Sequence, residues 1–312
     1  MPQLNQNYPE NELPLSWLRQ PVAQPDVREL QLRFSCYRWL FFANLPDGQT
    51  FREFYRTQLE HREKIYLRGC PPQIADFLAK MKWQTLPNGS EALLNLRGNH
   101  FDKRSLRDLV RRGNRWGSAA EVAISTENAG KFAALQVHSR HGLEPQLRYL
   151  FRSDLLSGQR CFVFQTQQKQ WLGAVLLTAS APGNWHTELI LKARKSPAGI
   201  MEALFAAIFE QLRDEGHFRW SLGEAPFFYT APPMCRTAKL VKFAGQAVRF
   251  AYDYRGLYRF KNKFLPEWRP VFLCGKPEIP VTLLADVFMQ TRLLQLVAFA
   301  AGRRLVLPFR KT

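Results

Sequence analysis

The stretch from residue 160 to residue 222 limits the possible folds more than any other. RCFVFQT (160–166), WLGAVLLTA (171–179) and WHTELILKA (185–193) are apolar, β-rich runs separated by the polar breaks QKQ and SAPGN. They read as an antiparallel meander. SPAGIMEALFAAIFEQLRDEG comes next, with Ser196 suited to the N-cap, Pro197 to the first helical position and Gly216 to the stop. Ile200, Met201, Leu204, Phe205, Ile208 and Leu212 recur at the helical period, so one face is buried. FRWSL (218–222) supplies one more strand. The class is α+β with an open sheet.

The first half repeats the theme less sharply. Residues 27–43 and 62–67 hold strand-like runs, 72–83 read as a helix and 91–96 as a strand. A basic helix over 103–116, a strand at 121–125 and a helix from about 127 to 142 complete it. The expected organisation is two similar units, 27–145 and 146–275, joined near 142–158. Residues 1–26, polar and rich in Pro, Asn and Gln, read as a loosely ordered arm with no signal-peptide pattern. Residues 276–312 read as a helical extension. The length of 312 residues suits two units better than one.

Forty-four Lys and Arg against 26 Asp and Glu leave a formal net charge of +18. Such an excess attracts polyanions, whether nucleic acid or an anionic lipid surface. KRSLRDLVRRGNRW (103–116) concentrates it: Arg104, Arg107, Arg111 and Arg115 stack along one side of a helix. Guanidinium forks match phosphate oxygens, so this stripe is a candidate nucleic-acid or headgroup contact. Lys192, Arg194 and Lys195 precede the 196–216 helix, whose first N–H groups also favour an anion. In GLYRFKNKFLPEWRPVFL (256–273), strand alternation would put Arg259, Lys261 and Lys263 on one face and Tyr258, Phe260 and Phe264 on the other.

Other classes find no support. Cys36, Cys70, Cys161, Cys235 and Cys274 are odd in number and lack C-x-x-C spacing, which argues against zinc and a disulfide framework. The six histidines offer no triad, and His100, His186 and His217 read as isolated. P-loop, Rossmann and metalloprotease signatures are absent, so neither metal nor cofactor is expected. No run reaches the ~18 uncharged apolar residues a membrane span needs. Residues 281–301 come nearest but contain Asp286 and Arg292; they read as a packed C-terminal helix or an amphipathic surface segment.

The meander, helix and strand of 160–222 resemble the acyltransferase fold of the GNAT superfamily. GSEALLNL (89–96), SLRDLVRRGNRWG (105–117), SPAGIMEAL (196–204), SLGEAP (221–226) and above all GLYRFKNKFLPEWRPVFL resemble, in order, the C-terminal catalytic domain of lysylphosphatidylglycerol synthases (phosphatidylglycerol lysyltransferases). That resemblance implies an α+β fold of two tandem GNAT-like units with mixed, mostly antiparallel sheets. Where the family carries G-E-E-A this chain has Gly89-Ser90-Glu91-Ala92, with Pro87 in place of a lysine. The family's D-x-x-R becomes Glu188-Leu189-Ile190-Leu191. The membrane-embedded flippase region of the family has no counterpart here.

By resemblance, the expected activity is transfer of an aminoacyl group from aminoacyl-tRNA to a phosphatidylglycerol-like hydroxyl at the cytosolic membrane face. Glu188 and Lys263 are the catalytic candidates, Glu188 for the donor's ammonium. Glu91, Arg194, Arg259 and Lys261 are expected to bind substrate, and Arg104, Arg107, Arg111 and Arg115 the tRNA. An anionic membrane and a separate membrane protein are the other expected partners. An acyl-CoA-dependent GNAT enzyme and a non-catalytic basic RNA- or membrane-binding module stand as alternatives.

Overall fold

The structure is a computed structural model that describes residues 12–139, 141–153, 155, 158–229 and 236–306. Among the described residues eleven strands form one sheet. They are β1 Leu18–Gln20, β2 Asp26–Gln31, β3 Arg38–Pro46, β4 Ile65–Cys70, β5 Gln84–Asn95, β6 Ser118–Val122, β7 Arg160–Gln165, β8 Trp171–Ala181, β9 Asn184–Lys192, β10 Arg219–Pro226 and β11 Glu267–Lys276. The helices are α1 Phe51–Phe54, α2 Pro72–Lys80, α3 Arg104–Asn114, α4 Thr126–His138, α5 Ile200–Asp214, α6 Arg236–Ala247, α7 Tyr254–Asn262, α8 Val281–Gln290 and α9 Leu293–Val306.

The strand order is β1-β3-β4-β11-β5-β10-β9-β8-β7-β6, with β2 also on β3. The described pairings are antiparallel except β1 with β3, β3 with β4 and β9 with β10. This is the mixed, mostly antiparallel α+β architecture expected. The sheet is continuous across residue 145: β6 pairs with β7 in the second half, and β11 lies between β4 and β5 of the first.

Helices cover both faces, as side-chain alternation requires. On β7, Phe162 and Phe164 join the core under α5, while Cys161 and Val163 point to α4. On β3, Leu40 and Ala43 pack with α1 and α2, and Trp39 and Phe41 with α6 and α8. β3 and β7 are therefore apolar on both sides, which is why 160–193 reads so clearly.

Three segments differ from their sequence reading. Residues 12–20 are packed, not loose: Leu13, Trp17 and Leu18 are buried, and Leu15 N–H donates to Gly69 O. Residues 1–11 lie outside the described residues. The α5 helix begins later than expected. Gly199 is its N-cap with φ +95°, and the Ser196 hydroxyl donates to Leu172 O instead of capping. Residues 254–262 are helix, not strand. The Asp253 carboxylate accepts from Gly256 N–H, and the segment has no β-branched residue to resist the turn. The extended strand starts only after Pro266.

The 281–301 segment is two helices meeting at 65°, and no single described helix is long and apolar enough to cross a membrane. Leu283 is buried, and Asp286 accepts from the N–H groups of Phe34 and Ser35, tying α8 to the turn after β2.

The basic helix α3 rests on the start of α5. A Cβ at Gly113 would lie 2.3 Å from Gly199 O, so the two backbones touch. Gly113→Ala is expected to destabilise by ~1–3 kcal/mol, because this overlap exceeds the helix-propensity gain of alanine. Chemical denaturation checks it, and an unchanged midpoint would contradict the packing.

Candidate active site

The site forms where β9 and β10 part. They pair in parallel only through Arg219–Asn184, Trp220–Trp185 and Ser221–His186, and then diverge. On its other side β10 bulges against β5 between Ser221 and Glu224, with Gly223 in the left-handed region at φ +82°. Without a side chain there, the amine of Lys261 enters the cleft. A Cβ on Gly223 would stand 3.4 Å from Lys261 Nζ and 3.8 Å from His186 Cε1.

Lys261 projects from α7 and is 3% exposed. Its Nζ donates to Glu224 O at 2.8 Å. Burial drives its pKa down to about 7, against the opposing pull of Glu224 and Glu91. It is therefore a buried amine able to lose its proton near neutral pH. The Glu224 carboxylate is itself held by Arg68 and Asn88.

Beside it lies a buried polar network. Ser221 Oγ donates to Glu91 Oε1 at 2.5 Å, accepts from Gly223 N–H and meets His186 Nδ1 at 3.1 Å. The serine proton is committed to Glu91, so Oγ accepts from the Nδ1–H of His186. This is the reverse of a serine nucleophile activated by histidine. Arg269 spans Glu91 and Glu12, with Nη2 2.6 Å from Glu91 Oε2 and Nη1 2.6 Å from both Glu12 oxygens. Burial alone would raise Glu91, but Arg269, His186 and the Ser221 hydrogen bond hold it below the usual carboxylate range. For Glu12 burial outweighs the same arginine and the pKa is raised. A cavity lined in part by Glu12, Ser16, Glu91, His186, Ser221 and Arg269 opens over this network.

Glu188 sits separately on β9. Its carboxylate accepts from Ser16 Oγ (2.8 Å), Thr178 Oγ (2.9 Å) and Arg152 N–H (3.0 Å). All three are neutral donors. The Arg152 guanidinium turns to Ser16 O, Phe42 O and Asn44 Oδ1, and among the described residues no side-chain cation forms an ion pair with Glu188. A buried carboxylate hydrogen-bonded only by neutral donors, with the Arg152 guanidinium nearby but bonded elsewhere, suits an incoming ammonium.

The other sequence candidates are dispersed. Lys263 caps the end of α7, pointing away from Lys261, and pairs with Glu202 of α5 at 2.6 Å. Because the segment is helical, Arg259, Lys261 and Lys263 do not share one face: Arg259 is exposed and Lys261 buried. Arg194 lies in the turn after β9. Arg104, Arg107, Arg111 and Arg115 are all exposed along α3, with Asp108 paired to Arg111 at 3.0 Å. Arg269 and Ser221 escaped the sequence reading, and His186, read as isolated, is in fact inside the network. Their partners are far along the chain, and no local spacing announces them.

Parallel strands that diverge beside a crossover helix, with a buried polar cluster at the divergence, define a GNAT-like fold. The chain belongs to the family described as phosphatidylglycerol lysyltransferase, C-terminal, which matches residues 47–275. It is 31% identical over 114 residues to the phosphatidylglycerol lysyltransferase of Bacillus subtilis (strain 168). That match takes in 36% of this chain and only 13% of the relative's length. The fold is similar to L-PGS from Bacillus licheniformis, with a TM-score of 0.67, 17% identity and 86% of each chain covered. It is similar also to the C-terminal domain of a putative lysylphosphatidylglycerol synthetase from Agrobacterium fabrum, with a TM-score of 0.63, 19% identity and 84% of each chain covered. At these identities the structural likenesses speak for the fold alone.

Proposed function

We propose that this protein moves an aminoacyl group from aminoacyl-tRNA to a hydroxyl of a phosphatidylglycerol-like lipid, working at the cytosolic face of a membrane. The observation that carries the reading is the buried amine of Lys261 at the divergence of β9 and β10, in a member of this family. An aminoacyl ester is already activated, so the enzyme needs only to orient the acceptor, take its proton and stabilise the oxyanion. The acceptor oxygen attacks the ester carbonyl while its proton passes to Lys261 Nζ. Collapse of the tetrahedral intermediate expels the ribose oxygen of the tRNA, which takes a proton in turn.

Glu188 receives the donor's ammonium. Glu91, fixed by Arg269 and Ser221, shapes the cleft. Lys263, Arg259 and Arg194 meet phosphates of the lipid or of the tRNA end. The exposed arginines of α3 follow the tRNA backbone. The acyl-CoA alternative is disfavoured by the start of α5, which α3 covers through Gly113 and Gly199. A pyrophosphate has no free helix N-terminus there.

The test is a transfer assay with individually charged tRNAs and total lipid, read by mass spectrometry. An aminoacylated lipid is expected, and a complete panel without one would overturn the reading. Arg107→Glu/Arg111→Glu is expected to raise KM for charged tRNA at least ~10-fold with kcat little changed, since phosphate contacts mainly govern affinity. Equal KM values would remove α3 from the tRNA path.

A further inference from the structure

We propose that the outer face of α6, continued by Phe250, seats in an anionic phospholipid bilayer. This assigns a surface to the membrane contact and rests on the lipid-acceptor reading above. The inner face of α6 is closed: Ala238 and Val241 are buried in the core that also holds Leu283 of α8. On the opposite side Leu240 is 45% and Phe243 69% exposed, and Phe250, just past the helix, is 37% exposed. Leu240, Phe243, Ala244 and Ala247 are spaced three and four apart, so they form one outward apolar stripe. A helix apolar on its outer side, with its inner side already satisfied, is not explained by the packing of the fold.

The charges around the stripe identify the occupant. Lys239, Lys242 and Arg249 flank it, and residues 236–252 contain no Asp or Glu. The guanidinium of Arg304, from the end of α9, lies 4.7 Å from the Phe250 ring centre and adds a further cation. Apolar side chains ringed by cations match the acyl boundary and headgroup layer of an anionic leaflet. A protein partner would need a matching acidic apolar patch. A second copy, carrying the same cations, would repel.

The test uses the intact protein and vesicles of equal parts phosphatidylglycerol and phosphatidylcholine, with pure phosphatidylcholine vesicles as reference. The protein is expected to sediment with the anionic vesicles, less as salt rises. Leu240→Ser/Phe243→Ser is expected to lower that partitioning at least ~10-fold, given the apolar area withdrawn from the bilayer. Its far-UV circular dichroism and thermal transition should match the parent, since both side chains are exposed. Lys239→Gln/Lys242→Gln/Arg249→Gln should weaken binding and flatten its salt dependence. Parent-like partitioning of the serine variant would overturn the proposal. So would concentration-dependent dimerisation that the serine pair abolishes while vesicle binding persists. Transfer to a short-chain, water-soluble phosphatidylglycerol separates this proposal from the reaction itself. The serine variant should keep that activity and lose transfer to vesicles. A parent inactive on both acceptors but bound to vesicles would overturn the reaction and leave the surface standing.

Discussion

Lys261→Met is expected to lower aminoacyl transfer by about three orders of magnitude, within the range for loss of a positioned base. In the parent, kcat/KM should rise as pH passes through about 7, where the buried amine gives up its proton. The variant should lose that limb as well as the rate. A structural role alone would leave the shape of the profile unchanged. The same substitution should raise thermal stability, with a definite pH dependence. An amine whose folded pKa is depressed binds fewer protons folded than unfolded between about 7 and the ordinary lysine range, so parent stability climbs across that window. The gain from methionine is therefore greatest below pH 7 and shrinks as pH approaches ~10. Transfer within a few-fold of the parent would remove Lys261 from the proton path.

Arg269→Met carries the second large effect. It leaves the carboxylates of Glu12 and Glu91 together in a buried site without the cation that bridges them. Removing one side of a buried ion pair costs ~3–5 kcal/mol. For a chain of this size that is a fall in melting temperature of about 10 °C. Glu91 contributes stability above its unfolded pKa because its folded pKa is depressed. Without Arg269 that contribution shrinks to what His186 and Ser221 supply, Glu12 keeps only Arg219, and both carboxyls shift towards their protonated forms. The gap between variant and parent should narrow as pH falls from 7 towards 5. Calorimetry across that range checks it, and Glu12→Gln in the same background should recover part of the loss. A pH-independent gap would mean that arginine packing, not charge, holds the site.

The parts of the fold legible in sequence were those whose pattern has one period. The meander of β7, β8 and β9 and the face of α5 were readable because apolar residues recur at two or at three and four. YRFKNKF was not, since cations and aromatics there satisfy a strand alternation and a helical spacing alike. The deciding signals were small: Asp253 as a cap, no β-branched residue, and Pro266 as the boundary. Lys261 was thus named as a site residue on a strand face it does not occupy. Its chemistry comes from burial in a helix, which no spacing reveals. Glu91 and Glu188 stood out through family resemblance, but their partners did not. Arg269 lies 178 residues from Glu91, and Ser16 lies 172 from Glu188. Such pairings are made by topology.

The position of β11 has a consequence for synthesis on the ribosome. It is the last strand to emerge among those described, yet it fills the slot between β4 and β5 near the middle of the sheet. Until residues 267–276 leave the exit tunnel, β4 and β5 each present an open, apolar edge, and the early half waits on the late one. Nascent chains stalled before residue 267 should accordingly be sticky and protease-sensitive, and completion of one ten-residue strand should make both halves resistant together.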